Sequence, residues 1–253
     1  MKSLHILSLV TWLPTVGAII ILALFKKNQA GLIKKFATAW FGLVFLASLA
    51  LLTYDRALGG MQLLEDHQWI PVIGARYQMG VDGVAVLLIV LTTLLGVIAS
   101  LSSWKYIEKR EKEYYVLLLL LQTAVVGVFA SMDLFLFYLF FEVSLVPMYF
   151  LIGIWGGENR LYAAIKFFLY TLVGSVVMLL GVLKMYFLTQ DTALTSQITQ
   201  ATVDLLAGNK EAAAMVTNSV QQAANFGTGT FNIIHMQALG SVMPMGAMQV
   251  LLF

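Results

Sequence analysis

The sequence predicts an all-α fold, a polytopic transmembrane helix bundle with six complete helices and the start of a seventh. The first observation is the composition: 60% of the 253 residues are hydrophobic and 11% are charged, whereas about a quarter are charged in soluble domains. The second is a mean hydropathy of +0.87. The third is the length of the apolar runs, because about 20 such residues cross a bilayer as a helix and barrel strands alternate over about ten.

The apolar runs give the boundaries of the predicted transmembrane helices. Six spans are predicted at about 4–25, 36–54, 83–101, 114–132, 134–155 and 161–183. The first run is too long for the core of a signal peptide, so we expect a retained helix. A further span is predicted to begin near Ala247. The predicted organisation is a six-helix membrane domain over 1–187, an extramembrane loop with an insertion over 188–246, and the truncated start of a seventh helix over 247–253.

The loop before the last span is polar and rich in Ala, Gln, Thr and Asn. Its stretch from Thr199 to Ala224 can form one or two surface helices, broken at Gly208 and Asn209. A tolerated loop insertion is a better interpretation than a binding element, because the stretch carries no chemical signature.

The Lys and Arg residues of the loops predict the orientation of the bundle. One side carries nine of them: Lys26, Lys27, Lys34, Lys35, Lys105, Lys109, Arg110, Lys112 and Arg160. The other side carries five: Lys2, Arg56, Arg76, Lys184 and Lys210. Because the positive side faces the cytoplasm, we expect an integral protein of a bacterial inner membrane with its N-terminus outside.

Several function classes are excluded. A net charge of +2 without a basic stripe argues against a nucleic-acid partner. With no cysteine, this chain has no disulfide, thiolate zinc site or cysteine-ligated iron–sulfur cluster. No P-loop is present, and the close glycine pairs lack the strand-to-helix context of a dinucleotide site. We therefore expect no cofactor in this chain, and any electrons to travel elsewhere.

Glu142 is the only acidic or basic residue among the 22 residues from Leu134 to Trp155. It lies eight residues from Leu134, about 12 Å below the outer edge of a core about 30 Å thick. An isolated charge at that depth costs at least about 2.5 kcal/mol, so the carboxyl is expected to be protonated, paired or in contact with internal water. The sequence thus indicates a proton-transfer residue; the alternative is a permanently protonated, structural glutamic acid.

Pro147 follows in the same run. A proline removes the hydrogen bond to the carbonyl four residues earlier, here Val143, beside the glutamate. A free carbonyl next to a carboxyl is a place for water. A kink that serves only packing is an equally good interpretation.

Lys166 lies five residues after Leu161, about 8 Å below the inner edge of the bilayer. It is predicted either to reach the headgroups with its ammonium group or to act as an internal cation on the inner side of the same hydrated pathway.

Other polar residues are expected to be structural. Asp82, Asp133 and Lys184 are predicted at the outer ends of spans, and His235 is predicted to be solvated in the outer loop. Gln122 can donate a hydrogen bond between helices. Gly174 and Gly181 are expected to allow close helix approach.

Three stretches then indicate a family. They begin "MGVDGVAVLLIVLTTLLG", "EYYVLLLLLQTAVVGVF" and "RLYAAIKFFLYTLVGS", and the second continues into "FEVSLVPMYFLIGIW". Together they resemble the antiporter-like membrane subunits of NADH–quinone oxidoreductase, respiratory complex I, of the M type, called chain 4 in mitochondria. The similarity is specific over about residues 80 to 187.

The resemblance implies a proton-translocating subunit without a redox centre, coupled to quinone reduction elsewhere in the complex. It implies other membrane subunits, protons, a quinone bound elsewhere and the lipid bilayer as partners. Glu142 matches the family's glutamate of the fifth helix, and Lys166 matches a lysine of its sixth. The family's subunits have about fourteen helices in two inverted repeats, so the chain resembles an incomplete subunit that lacks the lysine of helix seven. It further implies that residues 190 to 228 are an insertion.

The function expected is proton transfer by coupled titration. A cation approaching Glu142 favours the carboxylate and releases its proton, and its retreat favours protonation again. The alternatives are a subunit of a cation/proton antiporter, a subunit of a membrane-bound hydrogenase, or a non-pumping assembly scaffold.

Overall fold

The computed structural model describes residues 5–26, 29–53, 61–190, 202, 210–226 and 229–236. The elements in chain order are α1 (Ile6–Leu24), α2 (Ala30–Ser48), β1 (Gln62–Ile70), β2 (Ala75–Val81), α3 (Gly83–Tyr106), α4 (Glu111–Ala130), α5 (Leu134–Trp155), α6 (Arg160–Leu188) and α7 (Lys210–Phe226). Within these residues, six helices are long and apolar enough to cross a membrane. The predicted span over 247–253 lies outside the described residues.

The six predicted spans are confirmed as helices, and their ends differ in ways that have a physical reason. The boundaries of α5 agree with the prediction, whereas α2 begins six residues earlier than predicted, at Ala30. Its first turns hold Lys34, whose Nζ donates to the carbonyls of Trp104 and Ile107 at 3.0 and 2.8 Å. A lysine at the C-terminal end of another helix is favourable, so a charge at this position does not end the helix.

The described chain divides into two compact units. The first comprises helices α1 to α4 with Phe140–Val173 of the next two helices. Its core is apolar and centres on Ile21, Phe41, Tyr115 and Leu119. The four helices are also joined by hydrogen bonds between small polar side chains, which strengthen helix association in lipid. The pairs are Thr15–Thr123, Thr38–Ser100, Ser48–Thr93 and Ser103–Tyr114, all at 2.7 to 2.8 Å.

The second unit contains a β-hairpin that the sequence analysis did not predict. Strands β1 and β2 pair antiparallel, with His67 opposite Tyr77. The chain reverses at Gly74, whose φ of 68° is in the left-handed region that glycine adopts without strain. Residues 131–133 continue this layer, because Met79 bridges Ser131 and Asp133 bridges Asn232. The backbone that leads into α5 therefore pairs with extended backbone on two sides, at Met79 and at Asn232.

Helix α7 is packed onto the second unit. It belongs to the polar loop and begins at Lys210, directly after the predicted break at Gly208 and Asn209. Ala212, Met215 and Val216 are buried against Met132 and Ile234. The predicted surface helix is thus present over part of its range, with an apolar face that covers other residues of this unit.

Two glycines of α6 do not have the predicted role. A Cβ atom built on Gly174 or Gly181 would meet nothing within 4 Å. Among the described residues no helix approaches α6 closely at these positions, so the prediction of close helix approach is wrong for this part of the chain.

Candidate functional site

The fold orients Glu142 through the packing of a neighbouring residue. Phe140 is 3% exposed and lies against α1 and α4: its ring centroid is 5.9 Å from that of Trp12, and its ring fills the space that a side chain on Gly127 would need. Glu142 is two residues further, about 200° around the helix. Its side chain therefore leaves α5 on the face opposite α1 and α4.

The carboxyl group of Glu142 is partly buried and unpaired. Its Oε1 atom is buried, and no hydrogen-bond donor reaches it in the part of the chain that the structure describes. A buried polar atom without a partner costs free energy, more so when the group is charged. The arrangement requires a proton on this carboxyl, a water molecule or a further polar group.

Other residues of α5 fix the local geometry around Glu142. Pro147 is buried, and Ser144 Oγ donates to the carbonyl of Phe141 at 2.6 Å. Tyr149, seven residues from Glu142 and so on the same stripe of the helix, packs edge-on against Phe168 of α6 with ring centroids 5.5 Å apart. The face of α5 that carries Glu142 therefore packs against α6 at Tyr149.

Lys166 lies on a different face of α6 from the one that packs on α5. Ala164 is fully buried, and its Cβ is 3.6 Å from a Cβ built on Gly153 of α5. Two residues further, Lys166 is exposed, and its Nζ lies 5.7 Å from the centroid of the Tyr162 ring. Neither Glu142 nor Lys166 forms an ion pair with any described residue. The structure thus does not pair the two predicted site residues.

Gln122 of α4 is a further candidate, although the sequence predicts only a structural role for it, with a hydrogen bond to a neighbouring helix. It is 5% exposed, and neither its amide oxygen nor its amide nitrogen has a hydrogen-bond partner among the described residues. Its Nε2 lies 2.9 Å from a Cβ built on Gly96, a residue of α3 that has no side chain to offer a bond. The predicted hydrogen bond between helices is therefore wrong, and the free amide is suited to internal water.

Gln122 and Glu142 share a depth in the bundle. Gln122 is eight residues from the end of α4, and Glu142 is eight residues from the start of α5. Because α4 and α5 are consecutive and antiparallel, both side chains lie about 12 Å from the same membrane edge. The oxygen of a third residue, Thr11 Oγ1 of α1, is also buried without a partner in the described chain. No cluster of metal-ligating side chains is found among the described residues.

Asp133 begins α5 and is buried, with 1% of its surface exposed. Its Oδ1 accepts hydrogen bonds from the backbone N–H groups of Phe135 and Leu136 at 2.9 and 3.0 Å, and its Oδ2 accepts one from Arg76 N at 3.2 Å. Burial raises the pKa of Asp133 to about 7, against these backbone bonds, which lower it. The predicted position at the end of a span is correct, and the residue is an N-cap that also ties α5 to β2.

His235 is fully buried, so the prediction of a solvated histidine is wrong. Its backbone N donates to Asn232 Oδ1 at 3.0 Å, and Asn232 Nδ2 donates to Gln78 Oε1 at 2.8 Å. Both ring nitrogens lack a partner among the described residues. Burial lowers the pKa of His235 to about 4. The physical reason is the extended segment that pairs with Asp133, which draws the following turn into the second unit.

The two buried groups are expected to give opposite dependences of stability on pH. The folded state disfavours protonation of His235. The contribution of His235 to the free energy of unfolding therefore falls as the pH decreases from about 6.5 to about 4, by about 3 kcal/mol at most. Asp133 keeps its proton up to about pH 7 in the folded state. Its contribution to the free energy of unfolding therefore falls as the pH increases from about 4 to about 7.

We therefore expect His235→Leu to remove the loss of stability in acid and to leave the opposite trend of Asp133. The measurement is the thermal unfolding midpoint of the purified full chain in detergent between pH 4.5 and 7.5. His67→Leu is the matched control, because His67 is exposed, and it is expected to keep the original slope. An unchanged slope in His235→Leu would contradict the prediction.

Comparisons with known proteins identify a matching family model and similar proteins. A model of the family "NADH:quinone oxidoreductase/Mrp antiporter, TM" matches residues 131–250. NADH-quinone oxidoreductase subunit M of Rhodobacter capsulatus is 44% identical over 194 residues, which are 74% of this chain and 37% of that protein. The same subunit of Rickettsia prowazekii is 41% identical over 189 residues, 74% of this chain and 38% of that protein. The chain thus spans little more than a third of the length of these relatives.

A solved structure supports the same assignment. One chain of respiratory complex I from Thermus thermophilus with bound NADH has a TM-score of 0.63 and 26% identity. The match covers 93% of this chain and 50% of that chain. The fold, the family model and the curated relatives agree, and the resemblance predicted from the sequence is confirmed. The chain is an integral membrane protein and belongs to the family of antiporter-like membrane subunits that includes subunit M of NADH-quinone oxidoreductase.

Proposed function

We propose that this chain is a proton-translocating membrane subunit of an NADH–quinone oxidoreductase and that Glu142 takes up and releases the proton. The observation that carries the proposal is the buried Oε1 of Glu142, which has no hydrogen-bond partner among the described residues. It lies in a span that has no other acidic or basic residue. Water or a cation near a carboxyl in that position favours the carboxylate, whereas their absence favours the protonated form. The names of the relatives support the coupling to quinone reduction.

The mechanism follows from the electrostatics of the site. A cation brought near Glu142 by another part of the complex stabilises the carboxylate, and the proton leaves; when the cation withdraws, desolvation favours the protonated form again. Alternating access of water from the two sides turns this cycle into transport. Lys166 is the second proton-transfer residue of the proposal, on the inner side, and Pro147 supports the site by leaving the Val143 carbonyl free of a helical bond.

The proposal extends to partners and location. The chain functions with other membrane subunits, and both the quinone and the path of the electrons lie elsewhere. This chain has no cysteine to ligate an iron–sulfur cluster. The location is a bacterial inner membrane with the N-terminus outside, as supported by the nine Lys and Arg residues against five in the predicted loops. The bacterial sources of the relatives agree with it.

A subunit of a cation/proton antiporter is the second candidate, because the matching family model covers both kinds of complex. The neighbouring genes distinguish the two: genes of a quinone oxidoreductase on either side support the first candidate. A non-pumping scaffold is a third candidate, in which Glu142 stays protonated throughout.

Infrared difference spectroscopy on the complete complex tests the role of Glu142. We expect a protonated-carboxyl C=O band to change in intensity between the resting and the turning-over complex. The band should disappear in Glu142→Gln and remain in Glu158→Gln, a control at an exposed glutamate beyond the end of α5. A band that is identical in both states, or that survives Glu142→Gln, would favour the scaffold.

A further inference from the structure

A cavity of about 580 Å³ opens where four helices reach one side of the first unit. It lies between the loop that joins α3 to α4 and the loop that joins α5 to α6. Its lining includes Tyr106, Glu108, Lys109, Arg110, Trp155 and Arg160. Both loops are on the side that the charge distribution of the sequence predicts to be cytoplasmic.

The cavity is lined by three cations and one acid, and the cations are not all neutralised. Arg110 forms an ion pair with Glu113, and Arg160 uses one guanidinium nitrogen to bond the carbonyl of Ile154 at 3.0 Å. The Lys109 ammonium has no partner among the described residues. This distinguishes it from Lys112, on the same side, whose ammonium bonds the carbonyls of Leu22 and Phe25 at 3.0 and 2.7 Å.

The two loops are tied together, so the cavity is part of the fold. Trp155 Nε1 donates to the carbonyl of Lys109 at 2.8 Å. The Trp155 ring also packs edge-on against Tyr114, with ring centroids 5.1 Å apart. Lys109, whose ammonium has no partner in the described part of the chain, is therefore anchored through its own backbone to the end of α5.

The ends of the candidate spans predict that the cavity lies at the level of the lipid headgroups. One candidate span ends at Tyr106, another ends at Trp155, and a third begins at Arg160. Tyr and Trp are enriched at this level of a membrane, where their rings lie between hydrocarbon and water. Tyr106 is 85% exposed, which places an uncovered aromatic ring at the mouth of a basic cavity.

An apolar surface continues from the cavity along α6. Leu161, Tyr162 and Ile165 follow Arg160 directly and are all exposed among the described residues. A ligand with an anionic head and a hydrocarbon tail would contact both regions, whereas a soluble phosphate or an acidic peptide would use only the basic one. Basic pockets between transmembrane helices on the cytoplasmic side are suited to anionic headgroups.

We propose that this cavity binds the phosphodiester headgroup of an anionic phospholipid, with Lys109 and Arg160 as its principal ligands and the acyl chains along α6. The site does not include Glu142, so the result of the lipid-binding test does not depend on whether Glu142 transfers protons. Each Lys or Arg near an anionic surface strengthens binding by about fivefold, and two together by about thirtyfold.

The test uses the full chain in its membrane complex, delipidated and then exposed to phosphatidylcholine nanodiscs with or without phosphatidylglycerol. Retained phosphatidylglycerol is counted by mass spectrometry. We expect Lys109→Gln/Arg160→Gln to bind it about thirtyfold more weakly than the unmodified complex. Lys35→Gln is the matched control, because Lys35 is an exposed cation on the same predicted side, and it should bind normally. Equal binding in the double variant and the control would overturn the proposal.

Two further arms keep the result interpretable. Lys109→Gln alone leaves the Arg160–Ile154 bond in place, so a loss of about fivefold in this variant does not come from breaking that bond. Inorganic phosphate is added as a competitor at millimolar concentration. Displacement of phosphatidylglycerol by inorganic phosphate would identify a site for free phosphate and overturn the assignment to a lipid.

Discussion

Replacing Glu142 by glutamine is expected to reduce proton translocation through this subunit by about two orders of magnitude, the factor that a positioned proton-transfer group contributes. Glutamine has nearly the same volume and can occupy the same partly buried position, but it has no proton to exchange. The measurement is proton uptake by vesicles that contain the complete complex, together with the rate of quinone reduction. Because pumping and electron transfer are proposed to be coupled, both are expected to fall.

Two further variants separate chemistry from packing at this position. Glu142→Asp keeps an exchangeable proton and moves it by one methylene, so an intermediate rate is expected. Glu158→Gln makes the same chemical change at an exposed site and should leave both activities near normal. Normal quinone reduction with intact proton translocation in Glu142→Gln would rule out the proposed role.

The membrane helices and the position of Glu142 could be predicted because lipid imposes a strong and simple constraint. A span must satisfy its backbone internally and be about 20 apolar residues long, so the boundaries of α5 follow from Asp133 on one side and the glycine pair after Trp155 on the other. A single acid inside such a run stands out without any knowledge of the fold. The direction in which Glu142 points could not be predicted, because it depends on Phe140 packing against Gly127.

The extramembrane layer was missed because its signals are short and nonlocal. Strands β1 and β2 pair with each other, but residues 131–133 pair with residues near 78 and near 232, far apart in the sequence. The sequence did contain a local signal, Pro71 and Gly74 between two stretches with aromatic residues, which is typical of a turn between strands. The burial of His235 follows from this nonlocal pairing and is not visible in its own neighbourhood.

The error at Gln122 has a different cause. An amide inside a membrane helix predicts a partner on a neighbouring helix, and Thr15 with Thr123 shows that α4 does form such bonds. Gln122 itself faces Gly96 and Phe41, neither of which offers a side-chain donor or acceptor. Whether a polar residue finds a partner depends on which residue stands opposite, and that information belongs to the packing of α4 against α2 and α3.

Gly127→Ala is expected to destabilise the first unit by about 1–3 kcal/mol, the usual cost of overfilling a packed core. A Cβ atom on Gly127 would overlap the ring of Phe140, including Cγ, the ring atom nearest the backbone. The ring cannot rotate out of the way, because Phe140 is 3% exposed. Relief requires α5 to move away from α4, which also displaces Glu142. The measurement is the thermal unfolding midpoint of the complex, with proton translocation assayed on the same preparation.

The cause of this loss can be assigned by a double-mutant cycle. In a Phe140→Leu background the clash is smaller, so Gly127→Ala should cost less there than in the unmodified chain. Gly42→Ala provides the control, because a Cβ at Gly42 of α2 meets nothing within 4 Å and should change stability by less than about 0.5 kcal/mol. If Gly127→Ala is equally harmless, or costs the same with and without Phe140, then the α4–α5 contact does not determine how Glu142 is presented.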